Sequence, residues 1–303
     1  MQQSEQESEI REKILNAWLH ACELDILTFK PGNVSVYAAG HDMTAEHFRV
    51  SARVSAESIT DFSLSLGEKI FYSIRDTYNA VGCNTNLGIV LLCAPLIQGL
   101  QSVSPNQKNT VSLREQVSTI LDATSIKDAD WVYQAIRVAK PGGLGHVDQQ
   151  DVAVSPQVTL QQAMQLATDK DRIAYQYVND YKDIFEYGVP CYREALLRWN
   201  DARWATLAVY AGFLASIPDS LIVRKYGNRF TKMVASRMTL VNKQLQEFNP
   251  DQPEQLFSVL KDVDAEFKAA GINPGTTADL TVTSIFAESL DKLRWNVKGT
   301  CIQ

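Results

Sequence analysis

In "EIREKILNAWLHACELDIL", residues 9 to 27, Ile10, Ile14, Ala17, Trp18, Ala21, Leu24 and Ile26 recur at three- and four-residue spacing. That spacing draws one apolar stripe along a long amphipathic helix. Similar stripes run through 44 to 65, 68 to 80, 86 to 99, 111 to 122, 128 to 139, 159 to 187, 190 to 217, 228 to 248, 253 to 270 and 276 to 295. No stretch alternates apolar and polar residues between hairpin turns. The pattern predicts an all-α fold, a single compact domain of about ten helices over residues 9 to 303, behind a polar, disordered tail at 1 to 8.

Apolar residues make up 45% of the 303 and charged residues 21%, as in an ordinary globular protein. A net charge of −6 argues against a nucleic-acid surface, which needs a basic stripe, but leaves room for a small anion in one local basic pocket. The start, "MQQSEQESEIREK", lacks the order of a signal peptide, and no apolar run approaches the ~20 residues that span a bilayer. The expectation is a cytoplasmic protein with no membrane contact. Cys22, Cys83, Cys93, Cys191 and Cys301 are widely spaced without any CxxC, so they read as small hydrophobes, not as a disulfide framework or a zinc site.

The breaks between helices carry the chemistry. Four are rich in Gly, Pro, Asn and Asp: "TFKPGNVSVYAAGHDMT" (28 to 44), "GCNTNLG" (82 to 88), "KPGGLGHVDQQDVAVSP" (140 to 156) and "GINPGTTADL" (271 to 280); a fifth, "IPDSLIVRKYGNRF" (217 to 230), pairs an aspartate with two bases. In a helical protein ligand-binding groups are usually held on loops and helix starts, here at helix N-termini. In "GCNTNLG", Asn84, Thr85 and Asn86 precede a nine-residue apolar run, and a helix start there offers unpaired N–H groups to phosphate where Gly82 and Gly88 let a ligand approach. Thr276 and Thr277 repeat the device after the Pro274-Gly275 turn, with Asp279 in the first turn either as a dipole partner or as a Mg²⁺ ligand. Lys30 stands beside the Pro31-Gly32 turn, His41 and Asp42 precede a helix start at Thr44, and Asp219, Arg224 and Lys225 suit metal and phosphate or a solvated turn. His146, Asp148 and Asp151 suit a chelating loop or an Asx-turn. There is no GxxxxGK[ST], no GxGxxG after a strand, no HExxH and no GxSxG, which excludes a standard nucleotide loop.

Taken in order, Glu23 with "TFKPGNVS", "AAGHDM", "GCNTNLG", "PDSLIVRKYG" and "NPGTTADLTV" resemble the motifs of the triphosphoribosyl-dephospho-CoA synthase family: a glutamate before a TPKPGLVD-like turn, GAHxDM, GVNTHKG, a D-T turn with bases, and SPGGSADLLA. The resemblance spans about residues 23 to 290. It implies an all-helical transferase in which an acceptor ribose hydroxyl attacks C1′ of ATP, adenine leaves, and the triphosphoribosyl group is transferred with inversion. ATP is thus a substrate, and Mg²⁺ or Mn²⁺ the implied cofactor. The partners implied are a small-molecule nucleotide and its acceptor, with a homodimer allowed. Carried over residue by residue, Lys30, Gly32, Asn84, Thr85, Asn86, Gly88, Arg224, Gly275, Thr276 and Thr277 hold the nucleotide, Asp42, Asp219 and Asp279 serve catalysis, and Glu23, Asp219 and Asp279 hold the metal.

Three departures bear on the acceptor. Asn86-Leu87 stands where the family has His-Lys, Ser35 replaces an aspartate, and "PGGLGHVDQQDV" replaces a GARGE-like loop. Leucine does not bind phosphate, so the ligand or its pose differs. The variant pattern resembles a subgroup of methanogens and methylotrophs. The nominal acceptor is 3′-dephospho-CoA, the alternatives being a ribosyl transfer in tetrahydromethanopterin-type one-carbon cofactor biosynthesis and a non-catalytic nucleotide-binding module.

Overall fold

Every apolar stripe needs a covering partner, and each finds it in another helix. The computed structural model describes residues 2–38, 40, 43–102, 111–142 and 150–296. In chain order the helices are α1 (Gln2–Leu27), α2 (Ala45–Ile59), α3 (Leu66–Val81), α4 (Leu87–Gln101), α5 (Leu113–Asp122), α6 (Ile126–Ala139), α7 (Leu160–Ala167), α8 (Arg172–Val178), α9 (Val189–Trp199), α10 (Ala202–Ser216), α11 (Ser220–Tyr226), α12 (Thr231–Gln246), α13 (Glu254–Ala269) and α14 (Gly275–Asn296). A π-turn, Ile184–Gly188, leads into α9, and a 3₁₀ turn, Gly227–Phe230, leads into α12. No strand is present among the described residues; the loop after α1 has only two isolated bridge contacts, Ser35 with Ala38 and Gly40 with Met43. The fold is all-α, as the periodicity predicts.

Two expectations change. The first helix starts at Gln2 and takes in residues 2 to 8, which the sequence sets apart as a tail. The stripes over 159 to 187 and 190 to 217 are each broken, giving more helices than about ten. Asp171 caps α8, its side chain accepting from Ile173 and Ala174 N–H, and Asn200 takes a left-handed backbone (φ +49°) before Asp201 caps α10. Caps interrupt the backbone without interrupting the stripe, so periodicity alone passes over them.

The centre of the fold is α4, buried on every side from Leu87 to Ile97, with α14, α5 and α3 packed against it and α1 packed on α14. Pro95 sits within α4 and cannot donate to the Leu91 carbonyl. Tyr177 Oη donates to Leu91 O at 2.6 Å and Tyr181 Oη to Leu92 O at 2.9 Å, so the carbonyls around the proline are satisfied from α8 and the turn after it. A second apolar cluster joins α10, α12 and α13 around Tyr210, Met238, Leu260 and Phe267. The cysteines Cys22, Cys83, Cys93 and Cys191 are free thiols, the first and third buried.

Candidate active site

Asp219 explains how two helix starts come together. It caps α11, its Oδ1 accepting from Leu221 N at 2.9 Å and Ile222 N at 3.0 Å, while its Oδ2 accepts from Thr277 N at 2.7 Å and Thr277 Oγ1 at 2.8 Å. One carboxylate therefore ties α11 to the first turn of α14. Asp171 repeats the arrangement on α8, with Oδ1 over the amides of Ile173 and Ala174 and Oδ2 paired with the Arg224 guanidinium of α11. Ser220 Oγ accepts from Arg172 N at 2.7 Å and closes the junction of α8 with α11.

The start of α4 reaches the same place. A Cβ on Gly88 would overlap the Asp279 carboxylate and lie 2.9 Å from Ile173 Cδ1, so only a glycine lets α4 pass α14 and α8 this closely. Asn84, two residues before the N-cap position of α4, accepts from Leu87 N at 3.1 Å. Thr85 and Asn86 turn inward instead: Thr85 Oγ1 lies 2.6 Å from Ser51 Oγ, and Asn86 Nδ2 donates to Ser55 Oγ at 3.4 Å. Asn86 Oδ1 is buried without a partner.

At this convergence Asp279 is half-buried, and its carboxylate has no hydrogen bond or ion pair among the described residues. Burial pushes its carboxyl well above the usual 3.8, the charges of Asp219, Asp25 and Asp171 add to the rise, and Arg224 opposes it. Burial also raises Asp219, but the N–H groups of Thr277, Ile222 and Leu221 and the Thr277 hydroxyl pull it back. All four of those donors need an acceptor, so the ionised form is the one the geometry serves. Asp279 has no such donors, and its charge calls for a proton or a cation.

The structure therefore sorts the residues expected at the site. Gly88, Asn84, Arg224, Gly275, Thr276, Thr277, Asp219 and Asp279 stand at or beside the convergence. Lys30 does not present its charge to a ligand: it is fully buried, with Nζ 2.9 Å from Asp25 Oδ1, 2.6 Å from Asp25 O and 3.4 Å from Val34 O, so its three donors are engaged. Gly32 is a packing glycine, at φ +80° with its N–H on Asp264 Oδ1 and with Phe267 and Pro274 each 3.0 Å from where a Cβ would be. Glu23 makes a two-pronged ion pair with Arg49, and Asp219 is saturated, so Glu23, Asp219 and Asp279 do not form a metal-ligating set; among the described residues no three His, Cys, Asp or Glu do. Asp42, like His41, His146 and Asp148, lies outside the described residues.

Sequence reasoning passed over Asp25, Asp171, Ser51 and Ser55. Asp171 had a signal, the cap pattern in "TDKDRIA"; Asp25 and the two serines lie inside helices and had none. Gly142, just after α6, also comes close to α11: a Cβ there would lie 3.2 Å from Lys225 Cε.

The arrangement defines an all-α protein whose polar groups are gathered on helix starts around one unpartnered carboxylate. Residues 11–298 match the family described as CitG, ATP:dephospho-CoA triphosphoribosyl transferase, and the chain belongs to that family of transferases. The family's reaction is ATP-dependent triphosphoribosyl transfer to dephospho-CoA. No curated protein matches the chain. A solved structure from Archaeoglobus fulgidus, of a candidate triphosphoribosyl-dephospho-CoA synthase, is 21% identical, covers 78% of this chain and 96% of its own, and superposes with a TM-score of 0.60; it shares the fold. Among the described residues no single helix is long and apolar enough to cross a membrane.

Proposed function

We propose that this chain transfers the triphosphoribosyl group of ATP to an acceptor hydroxyl, nominally on 3′-dephospho-CoA, at the convergence of α4, α11 and α14. The observation that carries the reading is Asp279, a half-buried carboxylate without a partner between two long helix starts. In this reading the first-turn amides of α4 and α14 that Asn84 and Asp219 do not take, with Arg224 and Lys225, face the triphosphate. The acceptor oxygen bonds to C1′, the C1′–N9 bond breaks with its electron pair leaving on adenine, and Asp279 takes the hydroxyl proton. A carboxyl raised by burial is the better base near neutral pH.

The donor set also fits a divalent ion in a limited way. Magnesium commonly takes one or two carboxylates with phosphate oxygens, and the second oxygen of Asp279 is the protein ligand on offer. The ion would supply neutralising charge to the triphosphate. Purified protein with ATP, Mg²⁺ and 3′-dephospho-CoA is expected to release free adenine, and Asp279→Asn to lower that rate by about 10²- to 10⁴-fold, the usual contribution of a general base. Absence of adenine release by the wild type would overturn the reading.

A second reading is favoured by one observation. Leu87 is buried in the core and Asn86 is turned to Ser55, so the start of α4 places no cation where the family has lysine. That suits an acceptor with fewer phosphates, such as the ribitol hydroxyl of a tetrahydromethanopterin-type carrier. A strain lacking the gene should then lose that cofactor; an unchanged pterin pool rules this acceptor out.

A further inference from the structure

Beside the Lys30 turn lies a cleft lined by none of the residues placed at the convergence. Its volume is about 400 Å³, within the size range of small-molecule sites, and its lining is Phe29, Tyr37, Ala38, Phe257, Lys261 and Asp264. Three of the six are aromatic and stand as a group: Phe29 and Tyr37 are stacked with centroids 5.7 Å apart, and Phe257 lies 6.0 Å from Tyr37 and 6.4 Å from Phe29. Phe29 is buried, but Tyr37 is 51% exposed. A large aromatic side chain held that far open beside two others forms a partly exposed apolar wall.

The charges around this wall are unequal. Asp264 is neutralised, with Oδ1 on the Gly32 amide and Oδ2 2.9 Å from Lys268 Nζ. Lys261 is exposed and has no ion pair among the described residues. The cleft therefore offers an exposed aromatic ring, a second ring inclined to it at 56° and one uncompensated cation beside them, which matches a ligand carrying a heteroaromatic ring and an anionic group. Its position adds to the match. Phe29 faces the cleft while the next residue, Lys30, is bound to Asp25, whose charge acts on Asp279. Gly32 spans the same gap, donating to Asp264 of the cleft and packing on Pro274 just before α14.

We infer that this cleft binds the adenine ring of a nucleotide, stacked on Tyr37 with Phe257 at its edge, and with Lys261 beside the phosphate nearest the ribose. The inference rests on the transferase reading for the two nucleotides at issue, ATP and 3′-dephospho-CoA. Calorimetric titration with each nucleotide alone, without turnover, separates them. Tyr37→Ala and Phe257→Ala are expected to weaken one nucleotide by about tenfold or more, the order lost with one stacked base, and Lys261→Glu to weaken the same one. Tyr37→Phe should bind as the wild type does. Whichever nucleotide is weakened is the cleft's ligand, and the other should bind unchanged. Lys261→Glu is an exposed substitution, so it tests the cleft even if an aromatic variant fails to fold. If folded Tyr37→Ala and Lys261→Glu bind both nucleotides as tightly as the wild type, the inference is overturned, and adenine release by these variants would still leave the transfer reading standing. If the wild type binds a nucleotide through this cleft but releases no adenine, the transfer reading fails and the cleft remains.

Discussion

Replacing Asp219 separates a structural carboxylate from a reacting one. Asp219→Ala removes four hydrogen bonds from a site that is 4% exposed. Losing the cap of α11 costs about 1 kcal/mol. Losing an ionised acceptor for the Thr277 amide and hydroxyl costs about 1.5 to 3 kcal/mol, since the amide is left buried without a partner. Release of a buried carboxylate offsets part of this, so the expected net loss is about 3 kcal/mol against the 5 to 15 kcal/mol of an ordinary domain. In a chain of this length that lowers Tm by about 5 °C. Asp219→Asn should lose roughly half as much: its carbonyl can still cap α11, and its NH₂ can donate to a rotated Thr277 hydroxyl, but it faces the Thr277 amide donor to donor. Urea denaturation followed by helical circular dichroism reads the stability, and adenine release reads the chemistry of each folded variant. An Asp219→Ala protein that denatures like the wild type yet has lost all adenine release would refute the clamp and place Asp219 against the substrate.

Two further outcomes follow from the same electrostatics. Asp279 has a folded pKa raised above the ordinary 3.8, so its favourable contribution is complete below about pH 4 and is lost as pH rises through the folded value. Without nucleotide or metal, Asp279→Asn should therefore gain stability relative to the wild type between pH 4 and 8 in urea midpoints; a difference that stays constant with pH contradicts the unpaired carboxylate. For the buried pair, Lys30→Met alone should cost about 3 to 5 kcal/mol by stranding Asp25, and adding Asp25→Leu should recover most of it. A stable Lys30→Met protein that has lost ATP binding would instead restore Lys30 to the phosphates.

The helices were legible because burial writes its period into the chain: Ile14, Trp18, Ala21 and Leu24 are each at most 5% exposed, on the face their spacing predicts. The breaks inside 159 to 187 and 190 to 217 were less so, because a cap such as Asp171 or Asp201 is one polar residue in an uninterrupted stripe. At the candidate site, the motifs name loops that the fold brings together but do not tell which partners their residues take. "NTNLG" and "TTADL" do meet, through Gly88 and Asp279, yet neither motif tells that Asn86 turns to Ser55 or that Thr277 is taken by Asp219. Lys30 shows the reason most plainly. A lysine beside a Pro-Gly turn has the same one-letter pattern whether its ammonium meets a phosphate or a carboxylate, and what decides is Asp25, five residues earlier on the last turn of α1. Local pattern shows where polar groups are concentrated, while their partners are set by contacts between helices far apart in the chain. Asp279 stands out at the candidate site because those contacts have given the neighbouring carboxylates partners and left it none.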